Sequence, residues 1–407
     1  MEPQGLELLH GDAPDPLVGE PDEPMTLNGV TLLLLRGAAV CNAARTAYQP
    51  SELRPWELTA ARFVDLTARI MVLGSTVGAR GGAGAGAGAG AGEVPVPVRL
   101  QPGGRRLREI GHWCAATVNA IPSAWRVHQE RTRAQVLAGL STRRARPSAE
   151  VLSAARALAG RRDAWTAPPE SLRDQQVRRR FQSMAPEAPA AGVEEALVLG
   201  ARAIATTSRV AARAYADELI SVVRDVNEET ARRQAERLTA ARYLLALGAT
   251  PLEQYAHGRD LIARLGQVLA GETRLTGDLH DACERLCGIL EADVCADRLS
   301  ELLHRSLTEH GFTVRIDRES AAPAILFSAF EKGTAARCGS LVIDDGMVVT
   351  APPRSQRRLS ASAASAAFHE AVDHFRRQLG MAVSSTLRPR PLTHPTLRAD
   401  PPPLYGP

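Results

Sequence analysis

Residues 193–247 read VEEALVLGARAIATTSRVAARAYADELISVVRDVNEETARRQAERLTAARYLLAL, and no proline interrupts them. Within them Leu197, Ile204, Ala211, Tyr215, Leu219, Val222 and Val226 recur at helical spacing, which predicts a core-facing stripe. The section NEETARRQAER at 227–237 is polar all round. There Glu228–Arg232 and Glu229–Arg233 sit at i,i+4 and can hold a solvated helix together. One unbroken helix over this stretch would span about 80 Å at 1.5 Å per residue. A stripe that long outruns any single short neighbour, and an uncovered apolar strip marks an interface. The expectation is a coiled-coil-like helix that self-associates, with Tyr215, Leu219, Val222 and Val226 as contact residues.

The flanks extend the helical pattern. TPLE at 250–253 carries an N-cap Thr, a Pro for the first turn and a Glu that completes a capping box, and it opens a helix to 270. Two further helices are expected over 278–291 and 293–310. Near the other end, Trp56, Phe63 and Ile70 recur every seven residues in a helix opened by Pro55, behind an apolar helix that includes VTLLLLRGAAVC at 30–41. That run is about a dozen residues and contains Arg36, too short and too charged to cross a bilayer. After Gly311 the period changes to two: FTVRIDRE, AILFSAF and SLVIDDGMVVT read as strands, with Asp344, Asp345 and Gly346 as a turn. Phe368, Val372, Phe375 and Leu379 then mark an amphipathic helix.

Composition agrees with this class. Aromatic residues are 4% of the 407 and apolar residues 44%, so the cores must be built from Ala, Leu and Val, which suits helix-on-helix packing. The expected fold is mainly α, a helical bundle around a long helix, with a small C-terminal α+β unit, a flexible linker and disordered termini. The division along the chain is an acidic head over 1–25, an N-terminal helical unit over 26–75 and a Gly-Ala and Pro linker over 76–104. An Arg-rich helical segment over 105–190, a long-helix bundle over 191–311, an α+β unit over 312–380 and a Pro-rich tail over 381–407 follow.

Charge is segregated along this order. Residues 104–182 hold sixteen Arg against six acidic residues, a net of +10, whereas 191–311 hold fourteen Arg against nineteen acidic residues, a net of −5. Such asymmetry points to a partner surface or an internal docking contact. The six cysteines lack close pairing, as expected of free thiols in a reducing compartment. With no basic and apolar leader at the start, a soluble, intracellular and cytoplasmic chain is expected.

No P-loop, G-x-G-x-x-G or G-x-S-x-G occurs, and acid–base residues are scattered. HEAVDH at 369–374 puts Asp373, not a second His, one turn after His369, so the zinc-hydrolase pair is missing. His280, Cys283 and Cys287, with Cys295 nearby, offer soft ligands within one helix but match no closed zinc module, and no metal or cofactor is assigned. PPLY at 402–405 fits the polyproline pattern read by WW domains through Pro402, Pro403 and Tyr405. RRLS at 357–360 resembles a basophilic kinase site.

The reading this favours is a non-enzymatic helical scaffold or adaptor that works through protein–protein association, including self-association. The rival is a nucleic-acid binder that uses the Arg-rich segment, with Arg143, Arg144, Arg146, Arg178, Arg179 and Arg180 on phosphates. A third reading is an enzyme housed in 312–380.

Overall fold

Thr206, Thr207 and Ser208 end the long helix where the stripe predicted continuity. The structure is a computed structural model that describes residues 22–43, 53–81, 94–142, 147–160, 171–249, 257–318, 325–332, 337–344, 347–350 and 363–378. Its elements are α1 (Leu27–Asn42), α2 (Pro55–Gly81), α3 (Leu107–Thr117), α4 (Ala120–Thr142), α5 (Ala149–Ala159), α6 (Leu172–Gln182), α7 (Ala190–Ala205), α8 (Arg209–Gly248), α9 (Gly258–Ala270) and α10 (Gly277–Glu309). Strands β1 (Phe312–Arg318), β2 (Ile325–Glu331), β3 (Arg337–Asp344) and β4 (Met347–Thr350) and helix α11 (Ala363–Gln378) complete it. The fold is mainly α-helical, with a small α+β unit at the C-terminal end. Among the described residues no helix is long and apolar enough to cross a membrane.

The chain divides into two units, Met1–Ser300 with Ile343–Met347, and Glu301–Val342 with Val348–Pro407. In the first, α7 and α8 form an antiparallel hairpin. Thr206 is extended (φ −79°, ψ 136°), and the Ser208 hydroxyl caps α8 by accepting from the Ala211 amide at 3.4 Å. Hydroxyl residues favour such caps over helix interiors. A Cβ at Gly192 of α7 would lie 2.8 Å from Val226 Cγ2 of α8, so glycine sets the close approach of the two helices.

Two apolar cores fill this unit. The first joins α1, α2, α3, the start of α4, the end of α8, α9 and the first part of α10 around Leu33, Phe63, Leu73, Ile110, Leu247 and Leu265. The second joins the end of α4 with α5, α6, α7 and the first half of α8 around Leu158, Phe181, Leu197 and Leu219. Both α4 and α8 enter both cores. Where α8 passes from one to the other its buried residue is Thr230, and α4 buries His128 and Thr132 at its own passage. Asn227 accepts from the Ala185 amide (2.8 Å) and donates to the Ser183 carbonyl (3.0 Å), and Gln129 donates to the Met184 carbonyl (3.1 Å). Side-chain amides thus fasten the α6–α7 loop to both long helices.

Three other expectations change. Residues 26–75 are not a separate helical unit, because Phe63 and Leu73 of α2 share the first core with α8 and α9. A Cβ at Gly37 of α1 would meet the Ala60 carbonyl oxygen of α2 at 2.6 Å, so these helices touch backbone to backbone. The 76–104 linker is helical to Gly81, and beyond the Gly-Ala run the extended stretch packs: Val94 is buried and Val96 and Leu100 lie against the core. Val98, at the end of the extended run, is 85% exposed, so of its three valines only Val94 and Val96 reach the core. The helices expected over 278–291 and 293–310 are one helix, α10 (Gly277–Glu309), because no proline or glycine stands between 289 and 309 to break it. The TPLE cap lies outside the described residues, and α9 begins at Gly258 after His257, whose φ is 66°.

The polar stretch of α8 is braced from outside. Glu229 accepts from Arg233 (2.7 Å) and from Arg274 (2.6 Å), and Arg274 also reaches Glu236 (2.9 Å). These exposed pairs tie the α9–α10 loop to α8. Arg237 points inward instead and donates to the Leu269 carbonyl at the end of α9 (2.8 Å).

In the second unit the strands follow the order β1-β2-β3-β4. β1 and β2 pair antiparallel, with Val314 opposite Ala329 and Ile316 opposite Phe327. Phe312 meets Phe368 of α11 edge to face at 5.9 Å, and Ala371, Val372 and Phe375 are buried beside it. Leu379, expected to close this stripe, lies outside the described residues.

Candidate functional site

The α7–α8 hairpin places the four expected contact residues. Leu219 is fully buried beside Gly200, and Tyr215, Val222 and Val226 are half-buried against the same core. The Arg202 guanidinium lies 5.9 Å from the centre of the Tyr215 ring. Leu219 is thus covered by α7 of the same chain, while Tyr215, Val222 and Val226 keep part of their surface open.

Beside the hairpin lies an open cleft of 530 Å³. Leu140 at the end of α4 and Val198 and Leu199 of α7 give it an apolar floor, while Glu194 and Glu195 of α7 and Glu218 of α8 stand around it. Arg202 is the one cation among the described lining residues. Among the described residues that line it there is no hydroxyl, thiol or imidazole. Such a lining offers carboxylates to cationic groups and an apolar bed to aliphatic stems. Sequence reading missed it because Glu194 and Glu218 are brought together only by the turn at 206–208.

The Arg-rich segment divides. Arg143, Arg144 and Arg146 lie outside the described residues. On α6, Arg178 is half-buried and Arg179 and Arg180 are exposed. Phe181 is fully buried, with the Arg133 guanidinium 5.0 Å from its ring centre, so the end of VRRRF anchors the helix to the second core.

The His280–Cys283–Cys287 set is also split. Cys283 and Cys287 are buried in the first core, and burial pushes their thiols up to about 11 and about 12, which leaves them neutral and poor ligands. Cys287 is two turns from His280, about 10 Å along the axis. Cys295 is half-buried and adjoins the same core. The His280 ring instead meets the Tyr243 hydroxyl at Nδ1 (2.9 Å) and Glu284 at Nε2 (3.5 Å). In the second unit His374 faces His310, ring centres 5.8 Å apart. Pro402, Pro403, Tyr405 and RRLS lie outside the described residues.

No family model, no curated protein and no solved structure matches this chain.

Proposed function

We propose that the chain is a non-enzymatic helical scaffold that works by protein–protein association, holding an arginine-bearing segment of a protein partner in the α7–α8 cleft. The observation that supports this reading is the cleft's described lining: three carboxylates and one guanidinium above an apolar floor. Its 530 Å³ lies within the ~300–1,000 Å³ of ordinary binding pockets. A guanidinium takes a carboxylate through two parallel bonds, and its three-carbon stem covers apolar surface. The segregated charge of the chain fits a function in which an acidic surface meets a basic one.

The test is a titration of the full chain with a fluorescent ten-residue peptide of alternating Arg and Leu, beside a Glu and Leu peptide of equal length. The basic peptide is expected to bind and the acidic one to be ignored. Changing Glu194, Glu195 and Glu218 together to Gln should weaken binding about tenfold, since exposed ion pairs contribute about 0.5 kcal/mol each. A triple variant that binds as tightly as the parent would remove the cleft from consideration.

A second reading, nucleic-acid binding, is favoured by the exposed neighbours Arg179 and Arg180 on α6. It predicts a linear fall of log affinity for generic duplex DNA against log salt. Changing Arg179 and Arg180 to Gln should lower that slope by about 2, near one unit per lost phosphate contact. An absence of binding at ~50 mM salt would end this reading, because the electrostatic attraction is strongest there.

A further inference from the structure

We infer that His280, Asp281 and Glu284, on the first turns of α10, form a binding site for a divalent metal ion of the zinc class. The three residues each offer one ligand atom, and these atoms all lie within 4.8 Å of one another. His280 Nε2 and Glu284 Oε1 are already 3.5 Å apart. Two ligands on a tetrahedral zinc ion, each about 2.1 Å from the metal, stand about 3.4 Å apart. That pair therefore needs almost no movement. Asp281 is exposed, and rotation of its side chain closes the remaining distance.

The second observation is the ring's support from another helix. Tyr243 of α8 is buried, and its hydroxyl lies 2.9 Å from His280 Nδ1. Metal-bearing histidines characteristically engage their second nitrogen in such a bond, which fixes ring and tautomer. A phenol serves both forms of a neutral imidazole. In the tautomer with its proton on Nε2, the Tyr243 hydroxyl can donate to Nδ1. With metal, the ring carries its proton on Nδ1, donates it to the Tyr243 oxygen, and turns the Nε2 lone pair to the ion. One imidazole and two carboxylates suit zinc better than magnesium, whose sites are built from oxygen alone. With Asp281 and Glu284 exposed, water completes the coordination. This differs from the set a sequence scan suggests, because the neighbouring thiols of Cys283 and Cys287 are enclosed in the core.

The experiment titrates the full chain with Zn²⁺ by calorimetry and with Co²⁺ by absorption. One equivalent is expected to bind His280, with cobalt d–d bands and no sulfur-to-cobalt charge-transfer band. His280→Ala should lose that equivalent or bind it at least tenfold more weakly, and Glu284→Gln should weaken it as well. Tyr243→Phe keeps the ring in the core and should weaken binding 10–100-fold through loss of the orienting bond alone. Cys283→Ser and Cys287→Ser should leave affinity unchanged. Absence of binding at millimolar metal, binding that survives His280→Ala, or a thiolate charge-transfer band would each overturn the assignment.

Discussion

Replacing Leu219 by Asp is expected to unfold the second apolar core, and not to release monomers from an assembly. Leu219 has no exposed surface and sits among Leu158, Val177, Phe181 and Leu197. Truncating such a leucine costs about 2–5 kcal/mol, and a carboxylate placed in the vacated space adds its own desolvation. The sum, about 5 kcal/mol or more, is comparable to the whole stability of an ordinary domain. The local structure cannot absorb it, because α5 and α6 are 11 residues each. Helices of that length are marginal without their packing partners. Circular dichroism should show a large loss of helix and a broadened melt. Ile220→Asp, one residue along and 40% exposed, should shift stability by less than about 0.5 kcal/mol. If Leu219→Asp kept the parent's melt while light scattering gave a smaller particle, the stripe would be an interface between copies after all.

The same residue shows where a sequence yields its fold and where it does not. Trp56, Phe63 and Ile70 mark a buried face by their spacing, and all three are buried in α2. Pro55 opens that helix, and Gly271, at φ +82°, closes α9. These signals are local: each depends on residues within two turns. The break at 206–208 was hidden because Ile204 and Ala211 are seven residues apart, so the stripe keeps its phase across the gap. A second signal was present. In α7 Val193, Ala196, Leu197, Leu199, Ala201 and Ala203 are all buried, and a helix apolar on nearly every side belongs inside. Periodicity tells which face is covered and is silent about the cover. The site residues were harder still, since Tyr243 and His280 are 37 positions apart and meet only when α8 and α10 pack. The Glu194–Glu218 cleft depends in the same way on the fold-back of α7.

A loss of about 2–3 kcal/mol is expected when Arg242 is replaced by Ala, because one guanidinium joins three helices. It donates to the Cys41 carbonyl and to Asn42 Oδ1, both at 3.2 Å, and pairs with Asp65 of α2. Cys41 lies in the last turn of α1, where carbonyls have no partner within the helix, so a cation there caps the helix as well as neutralising its negative end. Removing one member of a fully buried pair costs about 3–5 kcal/mol, chiefly by stranding the other charge. Here the figure is smaller for two reasons. The Asp65 side chain keeps 24% exposure, and it retains Arg69, which donates to it at 2.7 Å. The measurement is the denaturant midpoint of Arg242→Ala, of Arg242→Met and of Arg242→Ala with Asp65→Asn. Met restores the aliphatic packing without the charge, so its gain over Ala measures the stem alone. Asp65→Asn should cost less in the Ala background than in the parent, with a coupling of about 1–2 kcal/mol that belongs to the pair itself. A coupling near zero, with Met as stable as Arg, would mean that packing and not charge joins α1, α2 and α8, and that the ion pair only fills space between helices already held by Phe63 and Leu247.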